Sequence, residues 1–207
     1  MSWKTFFQHK NSKVEFFVTI LLLIVLMIFF SQFIGHIEQR EGVTLNDPLL
    51  NAFNPIDLTW LTFVLIYISI ILFLFNIVRD PKKILIALQS YALMVIFRVI
   101  AMYLTPFNAP EKLILLDDPF VQIFGKGEIL TKDLFFSGHT GTLFLLFLLS
   151  ENKKLKIVFL ISTILVGSAV LLQHVHYSVD VFAAPFVAYG AYRIVKILHS
   201  KFERETI

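Results

Sequence analysis

Two histidines, their aspartates and one arginine carry the chemistry open to this sequence. His139 follows Ser137 and Gly138, His176 stands four residues before Asp180, and Arg98 interrupts a long apolar run. If one helix extends over both His176 and Asp180, that spacing puts them on the same face. Asp180 then accepts a hydrogen bond from one ring nitrogen and fixes the tautomer. The other nitrogen is left as a nucleophile or base. Phosphate is the natural partner, because Arg98 offers a planar fork that pairs two phosphate oxygens. One histidine can attack phosphorus while the other protonates the leaving oxygen. The backbone amides of Ser137, Gly138 and His139 open a helix and can help hold an anion. No GxSxG elbow and no HExxH zinc signature is present. Cysteine is absent, which excludes disulfides, a thiolate nucleophile and Cys-ligated zinc.

The elements that must position these residues are membrane spans. Of 207 residues, 57% are hydrophobic and only 16% charged, with mean hydropathy +0.77. Soluble domains sit nearer about 45–50% apolar and about 25% charged. The apolar residues, 23 Phe among them, come in unbroken runs. Six runs read as helices: about 14–34, 56–77, 84–104, 134–150, 157–172 and 180–198. Each is within or close to the roughly 17–25 residues that cross a bilayer. The first run is too long for a signal peptide and lacks a small-residue cleavage site, so it reads as an uncleaved span. The expected fold is therefore all-α, a single six-transmembrane helix bundle over residues 1–207.

Lys and Arg give the orientation. With six spans, thirteen of them share one side: Lys4, Lys10, Lys13, Arg79, Lys82, Lys83, Lys153, Lys154, Lys156, Arg193, Lys196, Lys201 and Arg204. The other side holds Arg40, Lys112, Lys126 and Lys132. The positive-inside rule places both termini in the cytoplasm. In the long outer loop Thr105–Asp133, Val121–Phe124 and Glu128–Thr131 flank Gly125-Lys126-Gly127, a pattern for a short hairpin. It is a lid over a site or a plain interfacial connection.

Polar groups inside spans cost about 2.5–3.5 kcal/mol for Arg or Asp at mid-helix, so each needs a reason. Arg98 lies near the outer end of the third span, Asp57 opens the second, and His139 sits about one turn into the fourth. His176 and Asp180 straddle the start of the sixth. Topology alone brings all five to one face from four helices. His174 is two residues from His176, off any shared helical face, and reads as a core or interface histidine rather than half of a metal pair. No metal or cofactor site is expected. The outer loops are rich in carboxylates, including Asp47, Glu111, Asp117 and Asp118. They form a vestibule for a cationic head group, or they reflect a topology that depletes only Lys and Arg.

The segment from Asp133 to Thr140 (DLFFSGHT), followed by His176 to Val181 (HYSVDV), resembles the sphingomyelin synthase family, a branch of the type-2 phosphatidic acid phosphatase superfamily. Arg98 to Thr105 (RVIAMYLT) is similar to that family's arginine-bearing third-span motif, and Asn54-Pro55-Ile56-Asp57 weakly resembles its Pro-Leu-Pro-Asp motif. The resemblance runs from about residue 47 to the sixth span. It implies a site facing away from the cytoplasm. It also implies catalysis by His139, His176 and Asp180, with Arg98, Asp133, Ser137, Gly138, Tyr177 and Asp57 holding substrate. His176 would form a phosphohistidine-type intermediate. His139 would protonate the departing diacylglycerol oxygen and then deprotonate a ceramide hydroxyl or water.

The chain also departs from the pattern. Thr131-Lys132 stand where the family has Cys-Gly. No Lys-x6-Arg-Pro is present, and Ala169-Val170 stand where the superfamily has Ser-Arg. These differences favour the synthase branch over the ordinary phosphatases and leave Arg98 as the main phosphate anchor. The expected function is a lipid phosphotransferase that takes a membrane phospholipid as donor and a lipid alcohol, ceramide or diacylglycerol, as acceptor. A phospholipase C-like hydrolase or lipid phosphatase with water as acceptor stands second. A non-enzymatic lipid transporter or scramblase stands third. Nucleic acid is not an expected partner. A bacterial inner membrane with a periplasmic site fits this layout.

Overall fold

The computed structural model describes residues 2–117 and 130–205. Among these residues are seven α-helices and no β-strand. The helices are α1 (Trp3–Gln8), α2 (Lys10–Glu38), α3 (Thr59–Ile77), α4 (Pro81–Leu104), α5 (Gly138–Leu149), α6 (Lys153–Leu172) and α7 (Ser178–Glu205). Their starts follow local chemistry. Ser2 caps α1 through the Thr5 amide, and Asn152 caps α6 through the amides of Lys154 and Leu155. Pro81 opens α4, where its missing N–H costs nothing.

Five helices, α2, α3, α4, α6 and α7, are long and apolar enough to cross a membrane, and they point to an integral membrane protein. The fourth expected span takes another form. Helix α5 has 12 residues and rises about 18 Å, less than the roughly 30 Å hydrocarbon core. It starts at Gly138 rather than Leu134 because the preceding residues are used in extended form. Asp133 reaches Arg98, Leu134 and Phe136 are buried, and Ser137 then caps the helix by accepting from the Thr140 amide. The sixth expected span begins at Ser178 and runs on to Glu205. The expected hairpin around Gly125-Lys126-Gly127 lies outside the described residues.

Helix α5 is the hub, packing on α6 and α7. One apolar cluster joins α3, α5 and α6 through Phe73, Leu143, Phe159 and Val166. A second joins α4, α5 and α7, where Ala184, Ala188 and Ala191 let the backbones approach. Above the short turn after α3, α3 leans on α6 while α4 leans on α2 and α7. The space left between them is the cavity described below. Helix α2 packs chiefly on α4, and its outer face of Leu21, Leu22, Val25 and Ile28 is exposed, as lipid-facing surface is.

The three connections at the far end of the bundle are knitted together. Val43 and Phe107 form an isolated parallel bridge, and the Asn108 side chain donates to the Gly42 carbonyl at 2.7 Å. The Ile114 amide donates to the Gln173 carbonyl at 3.1 Å, and the Ile56 amide to the Leu172 carbonyl at 2.9 Å. Gln173 is fully buried. Its amide group donates to Thr59 Oγ1 and to the carbonyls of Ile114 and Leu115, and its oxygen accepts from the Leu58 amide. At the opposite end Trp3 Nε1 donates to the Val78 carbonyl and Lys83 pairs with Glu151 at 2.7 Å. The helices thus run alternately up and down, with the long connections collected at one end.

Candidate active site

Arg98 sits in the last third of α4 and is 8% exposed. Its Nη2 donates to Asp133 Oδ1 at 2.8 Å and to the Asp133 carbonyl at 3.4 Å, while its Nε is buried without a protein partner. The guanidinium passes directly over Gly138. A Cβ there would fall 1.4 Å from Arg98 Nη1. Only glycine fits beneath this arginine, which gives the Ser-Gly-His run its physical reason. The fork keeps donors in reserve, as a group that waits for an anion must.

His139 follows in the first turn of α5. Its ring centroid lies 6.4 Å from that of His176 and 6.0 Å from that of Phe63, edge to face in both cases. His176 is buried in the turn between α6 and α7, with Nδ1 3.4 Å from Asp180 Oδ2. The pair does not share a helical face, because α7 begins only at Ser178. The turn itself folds His176 back beside Asp180, whose Oδ2 accepts from the Tyr177 amide at 3.0 Å, while His176 Nδ1 makes no hydrogen bond among the described residues. Asp180 is wholly buried in the first turn of α7, where the helix N-terminus favours a negative charge. The Asp180 carbonyl accepts from the Ser137 amide at 3.1 Å. This bond joins the start of α5, which carries His139, to the start of α7, which anchors His176.

These groups line one end of a cavity of about 510 Å³. Arg98, Asp133, Gly138, His139 and His176 form its polar end, with Thr131 and Asp117 nearby. Phe30 and Ile34 of α2, Ile66 and Ile70 of α3, and Met94 and Val95 of α4 form its apolar walls. The cavity is amphipathic, lined by charged and imidazole groups as well as by hydrocarbon side chains. Among the described residues, no three His, Asp or Glu side chains gather as a metal site.

Three residues expected to hold substrate do not line this cavity. Ser137 is fully buried as the α5 cap. The Tyr177 hydroxyl accepts from the Leu45 amide at 3.2 Å and donates to the Asn108 carbonyl at 3.0 Å, so Tyr177 braces the turn. Burial, the largest cause, raises its pKa. Asp57 is exposed and accepts from the Thr59 amide at 3.0 Å at the start of α3. Bonds from the Thr59 amide and hydroxyl hold its carboxyl below the usual value.

Sequence reasoning missed two buried groups. Gln173 gives no sequence signal. Asp47 reads from the sequence only as one of the outer carboxylates, yet it is 7% exposed. Its Oδ2 accepts from the Ser178 amide at 2.7 Å and the Ser178 hydroxyl at 2.8 Å, and its Oδ1 accepts from the Leu49 and Leu50 amides. Burial pushes its pKa up, but these bonds outweigh burial and hold the carboxyl below its ordinary value. An acidic side chain just before Pro48, facing a Ser that opens a helix, is the kind of pairing only the fold discloses.

His174 lies in the same turn as His176, in a left-handed conformation with φ 56°. It is 2% exposed, packs edge to face on Phe53, and its Nε2 has no partner. Burial first, then the charge of Lys112, depresses its pKa. The unfolded chain therefore takes up this proton first as pH falls. Stability is full above about pH 6.5 and declines below it. In the His174→Asn variant, which keeps a side chain tolerant of positive φ, the melting temperature in detergent falls less between pH 8 and pH 5 than in the parent.

Residues 132–197 match the family model of the PAP2 superfamily C-terminal region. The match supports the type-2 phosphatidic acid phosphatase superfamily. It covers Asp133, Gly138, His139, His176 and Asp180; Arg98 lies outside it and joins the site through the fold. The superfamily suggests an enzyme of lipid phosphatase or phosphotransferase type. Comparison with curated proteins finds no match to this chain.

Proposed function

We propose that this protein is a membrane lipid phosphotransferase of the sphingomyelin synthase-like branch. The observation that carries the reading is the meeting of Arg98, His139 and His176, with Asp180 behind His176, at the polar end of a cavity with hydrocarbon walls. The donor's phosphate sits on Arg98, and its acyl chains lie between α3 and α4, where the cavity faces the bilayer. His176 attacks phosphorus, and Asp180, 3.4 Å from its Nδ1, closes on that nitrogen in the substrate complex to fix the tautomer that leaves the attacking nitrogen free. The bond from phosphorus to the glycerol oxygen breaks, and His139 supplies the proton to that oxygen. A lipid hydroxyl then gives its proton to His139 and attacks phosphorus, and the phosphorus–nitrogen bond breaks.

The site faces away from the cytoplasm in a six-span arrangement. The uneven distribution of Lys and Arg supports this orientation. The superfamily match favours a second reading, hydrolysis, in which water replaces the lipid hydroxyl.

The test reconstitutes the protein with mixed phospholipids, with and without ceramide, and follows products by mass spectrometry. Under the transferase reading, a phosphosphingolipid and diacylglycerol appear together and only with ceramide. Release of diacylglycerol and a free phospho-head group, or of free phosphate, regardless of ceramide establishes the hydrolase instead. Lipid movement without any product sinks both.

A further inference from the structure

The turn that carries His176 is held from below by Asp180 and from the outer connection by one carboxylate, Asp47. We infer that Asp47 is a positioning residue for His176, an inference that rests on the catalytic reading above. Two residues beyond His176, Ser178 gives both its amide and its hydroxyl to Asp47 Oδ2, at 2.7 and 2.8 Å. The other oxygen, Oδ1, is fixed by the Leu49 and Leu50 amides. All four bonds reach an ionised acceptor that is more than nine-tenths buried, the circumstance in which hydrogen bonds are strong and geometrically demanding. The Ser178 amide is the first N–H of α7, and the helix end there favours negative charge.

The consequence is directional. Asp180 orients the imidazole from within α7, but Asp180 is itself placed by where α7 begins. Asp47 fixes that beginning. Its side chain lies in the connection between α2 and α3, while the turn it holds joins α6 and α7. Asp47 lines a separate cavity of about 300 Å³ together with His174 and Tyr177, on the far side of the turn from the substrate cavity. It therefore acts on the reaction through His176 and makes no contact with substrate. An Asn at this position keeps one acceptor but turns an NH₂ toward donors on one side. Ala removes all four bonds.

The experiment compares Asp47→Asn, Asp47→Ala, Ser178→Ala and His176→Ala with the parent, reading kcat, KM and melting temperature in the same detergent. The expected result is graded. Ser178→Ala, which keeps the amide bond, loses about 3-fold in kcat. Asp47→Asn loses about 10-fold, and Asp47→Ala at least about 30-fold, on the scale of lost charge-assisted hydrogen bonds. In the Asn variant KM stays within about 2-fold, and the loss in kcat persists at temperatures well below that variant's own, lowered melting temperature. A kcat within 2-fold in both Asp47 variants overturns the inference. So does a loss that appears only in KM or only in step with melting temperature in both Asn and Ser178→Ala proteins, since that is a structural tie alone. Full activity in His176→Ala would instead strike the catalytic reading on which the inference rests.

Discussion

Replacing His176 by Ala abolishes turnover, with an expected loss of about 10³-fold or more, as when a nucleophile that acts as part of a unit is removed. His139→Ala is also severe, about 10²–10⁴-fold, the range for losing a general acid–base. The two variants separate on one measurement. A donor whose leaving oxygen is intrinsically acidic, such as a phosphodiester of a nitrophenol, needs no proton to depart. It restores much of the first step in His139→Ala and none in His176→Ala. The contrast follows from placement. His176 is buried against Asp180 in a rigid turn, suited to attack. His139 stands at the open first turn of α5 facing the cavity, suited to exchange a proton with an oxygen that leaves. Rescue of His176→Ala alone would show that the roles are reversed, and equal rescue of both variants, or of neither, would show that the division of roles fails.

The second large effect comes from one methyl group. Gly138→Ala sets a Cβ 1.4 Å from where Arg98 Nη1 now lies, so the guanidinium must leave its place over α5. Displacing a preorganised donor from a phosphate costs about 10²–10³-fold in kcat. The same change also breaks the tie to Asp133, which holds the extended stretch before Ser137. Gly190→Ala in α7 is the control, because nothing lies within 4 Å of its added Cβ. There the substitution is neutral or slightly stabilising, because Ala is the better helix former. A Gly138→Ala enzyme that keeps parental kcat and phosphate affinity would mean that Arg98 is not the phosphate anchor.

Much of this site was legible before the fold was known. Polar residues in apolar runs are expensive, so Arg98, His139, His176 and Asp180 announced themselves, and alternating spans brought them to one end. Helix boundaries were less legible. The run from Leu134 is apolar enough to be helix. Nothing in its composition says that Asp133 will be drawn to Arg98 and leave the helix to start at Gly138. The same limit explains Ser137 and Tyr177. They sit in motifs beside the histidines, but a hydroxyl in such a motif can brace backbone as readily as touch substrate, and here both brace. Asp57 sat in the weaker motif and holds the Thr59 amide at the start of α3. Asp47, ten residues earlier, is the buried carboxylate. Periodicity separates faces of one helix, but it carries no information about which loop residue will meet another helix's first turn.

The divergence of α3 and α4 also decides which concentration the enzyme senses. Under the function proposed above, the apolar walls, Phe30, Ile66, Ile70 and Met94, take the donor's acyl chains, so the donor arrives from the bilayer and not from a dilute aqueous solution. The competing molecules are then the other lipids of a two-dimensional solvent, which resemble the substrate. The cavity's occupancy then follows the mole fraction of donor among all lipids, and bulk lipid acts as a competitive diluent. Adding inert lipid or detergent at constant substrate lowers the rate, while doubling the volume of buffer around the same vesicles leaves it unchanged.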